Sequence, residues 1–561
     1  MTEPRISPHR AAFRDICIVL FAALAARVVW GSLYWGRSPT AGVLQADAWS
    51  QFELARHAYL TEDWRVGNGP FYQPPLYTYI LLLLHKVAIH NPPAVTFLQS
   101  ILGVLTGILT WWLARQVVPG RWAVVAAVLV VTAGPPILYE NQLLPTTVGV
   151  FLHLAGLAGL TAWWKSGRRS WLAAGGISSG LACVARPHFM TAAVLQGIWV
   201  AWAARNRKAS GWVSTVLSVF VYGVMAVLGP MGTLSYNMIV GGDRVLICAN
   251  GGVTFCMGTG PDAIGFLAPV PGLAVEIENQ RTESVRLASQ AVGRPLKPSE
   301  ASQWWYAHGI TWIAENPKEA ALLFARKILL MWNKRSVGVN AVYSFEASCA
   351  PLLHIFEVPS VLILLLGFAA FFCLDRTAPP IAVLLFSSVL TYFAISVLFY
   401  VSDRFRTAAL PALAILGLAW LHGVYERRAF RRRDLAGILL AVAVVCTPAE
   451  WWISMPRGTL DRKLHSMAWY NLGAAAERDS RFGLAEEYYR RALETDWNLG
   501  IAHKNLGVLL AKSGRRSEAE PHLRKARELL PTDLEAQRNL EVFMQGQPPQ
   551  SQEEQPGHPS S

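Results

Sequence analysis

The stretch Tyr77-Thr78-Tyr79-Ile80-Leu81-Leu82-Leu83-Leu84-His85-Lys86-Val87-Ala88-Ile89 decides how this chain is threaded. It is apolar, yet only 13 residues long, with His85 and Lys86 inside it and His90 just beyond. A membrane span needs about 20 apolar residues, so the run reads as an interfacial or re-entrant helix. Eleven longer apolar segments lie around it, at 15–36, 94–114, 122–138, 147–164, 171–187, 190–204, 212–234, 353–373, 380–400, 407–422 and 434–453. With 77–89 left out of the count, the basic clusters fall on one side. These are Arg5, Arg10 and Arg14; Arg115 and Arg121; Lys165, Arg168 and Arg169; Arg205, Arg207 and Lys208; Arg376; and Arg427 to Arg433. Basic residues gather on the cytoplasmic side, so the reading is a cytoplasmic N-terminus, eleven spans and a C-terminus outside. If 77–89 crossed, every later cluster would move outside.

Composition agrees with that threading. The 561 residues are 53% hydrophobic and 16% charged, with a mean hydropathy of +0.30, which describes an all-α polytopic membrane protein. The net charge of +13 sits in short clusters between apolar stretches and not on one continuous face. It therefore marks topology, and no nucleic-acid partner is read from it. Many of the 22 Trp and 16 Tyr stand near the ends of apolar runs, as interfacial belts do. Of seven cysteines, Cys17, Cys183, Cys373 and Cys446 fall in apolar segments, and Cys248, Cys256 and Cys349 allow at most one disulfide. Ala23-Leu24-Ala25 imitates a signal-peptidase site, but the apolar character runs on through Trp35, so the first span reads as uncleaved.

The topology exposes five far-side segments: the loop 37–93, the turns at Glu140 and Arg186, the loop 235–352, and the turn from Tyr400 to Arg406. The loop 235–352 is too long for a connector, and its stretch Trp304 to Trp332 looks helical. Residues 1–453 are thus expected as the membrane domain, 454–465 as a linker and 466–545 as a second domain. In that second domain Leu472-Gly473 recurs as Leu506-Gly507, Ala485 as Ala519 and Ala492 as Ala526, a period of 34. The pattern resembles the tetratricopeptide repeat, which implies an α-solenoid that binds a protein partner or acceptor. Residues 546–561, rich in Gln, Pro, Glu and Ser, are expected to be disordered.

Just past the first span stands Ala46-Asp47-Ala48-Trp49, followed by Tyr72-Gln73-Pro74-Pro75-Leu76-Tyr77. Further along come Tyr139-Glu140-Asn141-Gln142, Arg186-Pro187, Asn250-Gly251-Gly252, Trp332-Asn333 and Arg404-Phe405-Arg406. In that order, over residues 15 to 420, they resemble the GT-C superfamily of polyprenyl-phosphate-sugar glycosyltransferases. The likeness is greatest to the family 39 type, which includes protein mannosyltransferases and lipid A aminoarabinose transferases. The resemblance implies an inverting transfer of a sugar from a polyprenyl-phosphate donor to an acceptor hydroxyl on the extracytoplasmic face. It assigns the loop acid, Asp47 here, as general base; a carboxylate does this work when donor and acceptor come within hydrogen-bond reach.

Other residues take their expected roles from chemistry and position. Arg186, Arg404 and Arg406 are basic on the side where few basic residues are expected, and a guanidinium suits a lipid phosphate; the competing reading is snorkelling to headgroups. Arg27, inside the first span, either snorkels or faces a polar cavity where it joins them. Glu140, at a span end, orients an acceptor, binds a divalent metal ion, or is merely solvated. Tyr72, Gln73, Pro74 and Pro75 shape the loop, since two prolines restrict the backbone and remove two donors. Two departures from the family stand out. Ala48 replaces the second of two acids that many relatives carry, and Gln73 falls where the aminoarabinose transferases carry Glu-Lys. A non-catalytic membrane anchor that displays the repeats to envelope proteins is the alternative of a different class. A transporter fits less well, because acids are nearly absent within the spans.

Overall fold

A long apolar segment in lipid satisfies its own backbone only as a helix. The computed structural model describes residues 8–547 except 68, 208–210, 269, 271, 274–276 and 374–378, together with residue 549, and no strand occurs among them. Much of the expected disordered tail and Arg376 lie outside the described residues.

All eleven apolar segments fall on helices. Among the described residues seven helices are long and apolar enough to cross a membrane: His9–Arg37, Pro92–Ala114, Thr146–Ser166, Trp212–Ile239, Pro351–Phe371, Pro380–Leu398 and Asp403–Arg427. The pair Gly120–Val131 and Gly134–Glu140, bent by 53°, makes an eighth if taken as one span. Its bend falls ahead of Pro135 and Pro136, which cannot donate to the preceding turn. The expected count of eleven is thus reached only by adding Arg169–Ala185, Phe189–Asn206 and Arg432–Cys446, of 17, 18 and 15 residues. The half-length run forms the Leu76–Lys86 helix, whose 11 residues rise about 16 Å, roughly half a span.

Small residues let the bundle close. A Cβ added to Gly159 would stand 2.8 Å from Gly175 Cα, so the Thr146–Ser166 and Arg169–Ala185 helices meet backbone to backbone. Over one end of the bundle fold the helices of the long loop, chiefly Ile277–Val292, Pro298–Glu315, Pro317–Trp332 and Tyr343–Cys349. The helical stretch expected at Trp304 to Trp332 is therefore two helices, broken at Asn316 where Pro317 starts the second. Cys248, Cys256 and Cys349 are all free.

The C-terminal unit consists of Thr459–Arg478, Phe482–Thr495, Gly500–Lys512, Arg516–Leu529 and Leu534–Met544. Its first helix begins at Thr459, inside the stretch expected as linker, after Gly458 turns the chain with φ +77°. The first four helices form two hairpins closed by the same contact one period apart. A Cβ on Gly473 would meet the Tyr489 ring at 2.6 Å, and one on Gly507 the Leu523 side chain at 2.8 Å. Ala485, Ala492, Ala519 and Ala526 are fully buried between these helices.

Glu346, outside the spans, joins the long loop to the first one. Thr40 Oγ1 donates to its Oε1 at 2.7 Å, and Ser38 Oγ donates to Oε2. Burial outweighs these bonds and pushes the carboxyl from 4.5 up to about 7. The folded chain keeps a proton that the unfolded chain releases near 4.5, so this stabilisation is full below that pH and lost as pH rises through 7. Glu346→Gln should therefore melt above wild type at about pH 8 and flatten the decline between about pH 5 and 7, read by thermal unfolding across that range.

Candidate active site

Asp47 occupies the first turn of the Ala46–Leu60 helix, where the helix dipole favours a carboxylate. Three side chains from distant parts of the chain converge on it. Gln73 Nε2 donates to Oδ1 at 3.1 Å, and Asn340 Nδ2 donates to Oδ2 at 2.6 Å. Arg404 Nη1 donates to the same Oδ2 at 3.3 Å. The pair stays open, with 12% of the Arg404 side chain and 20% of the Asp47 side chain exposed. A base that must meet a substrate needs that opening.

The turn that carries Gln73 is held from several sides. Asn237 Oδ1 accepts from the Phe71 amide at 2.9 Å, and the amides of Ala249 and Asn250 donate to the carbonyls of Phe71 and Tyr72. Tyr72 Oη donates to Gln280 at 3.0 Å, and Pro75 opens the Leu76–Lys86 helix. The expected loop-shaping residues thus do more than shape, because Gln73 bonds the acid itself.

On the cationic side, Tyr400 Oη accepts from Arg404 Nη2 at 2.5 Å. Arg186, in the turn between two short helices, donates to Thr146 Oγ1 at 2.7 Å and lies close enough to Arg404 and Asp47 to feel both charges. Burial first and Arg404 second push its guanidinium down, as expected where positive charge exceeds negative. His188 packs on Phe405 with rings 5.1 Å apart, and burial with the Arg186 charge holds it neutral. Arg186 Nε, His188 Nε2, Arg404 Nε and Tyr139 Oη are buried polar atoms without a protein partner. Two cations beside one acid, with four polar atoms that have no protein partner, suit an anion with hydroxyls beside it.

Three expected site residues lie elsewhere. Arg27 Nη2 donates to Glu140 Oε1 at 2.5 Å, with side chains 11% and 3% exposed, and Arg27 Nη1 also donates to the Ala23 carbonyl at 2.9 Å. Gly103 leaves the space this pair fills, since a Cβ there would strike both side chains. Arg27 and Glu140 are thus paired with each other inside the bundle, and the carboxylate is buried and not solvated. Arg406 is likewise enclosed. Its Nη1 stands 3.4 Å from Asp403 Oδ1, its Nε donates to Tyr392 Oη, and its Nη2 donates to the Arg335 carbonyl. Asp403 in turn accepts from Ser336. Among the described residues no group of three or more His, Cys, Asp or Glu side chains could hold a metal ion. Asp47 has both oxygens engaged and Ala48 beside it, so these residues do not form a divalent-metal site.

Asn340, Thr146 and His188 carry no mark in the sequence, and Tyr139 and Tyr400 appear there only within a motif and a turn, with no role of their own. Asn340 is one polar residue in an irregular stretch, and Tyr400 at a span end looks like any belt tyrosine.

No protein-family profile and no curated protein matches the sequence. Solved structures do resemble it. The Archaeoglobus fulgidus oligosaccharyltransferase in its apo form is 14% identical, with 82% of this chain and 57% of that one covered and a TM-score of 0.42. The same organism's oligosaccharyltransferase AglB, solved with an inhibitory peptide and a dolichol-phosphate, is 14% identical over 85% and 59%, with a TM-score of 0.41. ArnT from Cupriavidus metallidurans, bound to undecaprenyl phosphate, is 14% identical over 88% and 79%, with a TM-score of 0.37. This chain spans less than two thirds of the archaeal enzymes' length.

The Arg27–Glu140 pair gives a clear expectation. Removing one partner leaves a bare buried charge, so Arg27→Met or Glu140→Leu alone should cost about 3–5 kcal/mol of stability, while R27M/E140L together recovers most of it, by thermal or denaturant unfolding in detergent.

Proposed function

We propose that this chain is a GT-C glycosyltransferase, inverting at the anomeric carbon, that moves a sugar from a polyprenyl-phosphate donor to an acceptor hydroxyl. It acts on the extracytoplasmic face of a bacterial cytoplasmic membrane, with the N-terminus inside and the C-terminal repeats outside. The observation that carries this reading is the partly open Asp47, held by Gln73 and Asn340 and set against Arg404, with Arg186 in the same cluster.

In the reaction an acceptor O–H gives its proton to Asp47 as its oxygen attacks the anomeric carbon. The carbon–oxygen bond to phosphate breaks, and its electron pair leaves on the lipid phosphate. Arg404 and Arg186 receive the phosphate charge, which their one shared carboxylate does not balance. Arg404 touches both Asp47 and the phosphate site, so it keeps base and leaving group at a fixed spacing. His188 and Tyr139 line the same pocket and hydrogen-bond the sugar or phosphate. Arg406, Arg27 and Glu140 serve the bundle and not the chemistry. The tetratricopeptide-like unit presents a protein partner or acceptor.

The test offers undecaprenyl-phosphate glucose, mannose and aminoarabinose to protein in nanodiscs. Asp47→Asn should lower turnover by about 10²–10⁴-fold, the usual worth of a general base. Arg404→Ala and Arg186→Ala should weaken binding of undecaprenyl phosphate itself. Turnover in Asp47→Asn near that of wild type would remove the base; no turnover of any donor by wild type would favour the scaffold.

A further inference from the structure

The helix that carries Asp47 starts without local help. Gln45 makes no side-chain cap, and Ala46 adopts φ +42°, a conformation that costs any residue with a Cβ. Its support comes from a helix more than 400 positions away in sequence. Arg478, the last residue of the Thr459–Arg478 helix, donates from Nη2 to the Leu44 carbonyl at 2.6 Å. Its guanidinium also lies 4.3 Å from the centre of the Trp49 ring. Leu44 and Trp49 bracket Asp47, so one guanidinium spans the start of the catalytic helix.

The same helix grips the other support of Asp47. His465 Nε2 and Ser344 Oγ are 3.1 Å apart, and the Phe345 and Trp469 rings meet edge-on at 5.0 Å. Val342, Phe345, Ala468 and Leu472 form one buried cluster, and Arg335 pairs with Asp461. The segment so held begins just after Asn340, which donates to Asp47. Thus the Leu44–Trp49 stretch and the segment around Asn340 are both fixed by Thr459–Arg478.

We propose that Arg478 is a positioning residue of the reaction site, and that the C-terminal helical unit is a structural part of that site and not a detachable recruiting arm. This rests on Asp47 being the base. A positioned base transfers its proton only within a narrow geometry, so loosening the helix start lowers the rate with little change in donor binding.

The experiment uses full-length protein in nanodiscs and two readouts. Hydrogen exchange over residues 44–56 should quicken about tenfold in Arg478→Ala and in Trp49→Ala, and stay at the wild-type rate in Arg524→Ala, which alters only an exposed ion pair of the same unit. Turnover of the undecaprenyl-phosphate sugar should fall about tenfold in the first two variants with donor KM changed less than about twofold, and Arg478→Lys should recover part of it. Trp49→Ala leaves the C-terminal unit untouched and carries the same test if Arg478→Ala melts early. Unchanged exchange in both variants overturns the proposal, as does unchanged turnover where Asp47→Asn is inactive. Full turnover by Asp47→Asn would instead defeat the reading of the site, whatever the exchange shows.

Discussion

A charge withdrawn from water into a helical bundle must find a partner, because the desolvation cost exceeds what packing alone returns. That constraint sorts the charged residues here. Arg27 meets Glu140 between the first span and the bent pair, and Arg406 meets Asp403 within one helix and gathers Tyr392 and the Arg335 carbonyl around it. In each of these pairs one guanidinium meets one carboxylate. Around Asp47 the charges do not balance one to one, since Arg404 and Arg186 share one carboxylate. That excess of positive charge sets the cluster apart from the one-to-one ion pairs made of the same residue types.

Position explains why chemistry gathers at this end of the bundle. Turns between spans, the first loop and the long loop all return there, so residues 47 and 73 of the first loop meet residues 186, 340 and 404 from three other segments. None of the five could orient the acid alone. The YQPP turn contributes through rigidity, because its backbone is tied to Asn237, Ala249 and Asn250 before Gln73 reaches Asp47. The C-terminal unit adds a further layer, by packing against the two stretches that flank the acid.

Much of the architecture was legible from short-range pattern. Apolar length predicted each helical segment, including the half-length helix after the prolines, and the 34-residue period located the hairpins that Gly473 and Gly507 close. Some boundaries were not, because local breaks are set by single residues: Pro317 divides one expected helix, and Gly458 starts another inside an expected linker. Within the site, Asp47 stood out through its motif and the resemblance it carries and Arg404 as a cation on the side where few are expected, whereas Asn340 and Tyr400 carried no such signal. A neutral polar residue costs little in a loop and so leaves no mark in composition.

By itself the sequence determined the helical, membrane-type architecture, which follows from hydropathy along a few tens of residues. Only the tertiary structure decided which charges cancel. Arg27 and Glu140 are 113 positions apart and Asp47 and Arg404 are 357 apart, so nothing local marks one arginine as a brace and the other as a site residue. Electrostatic attraction depends on distance through space, and the fold sets that distance.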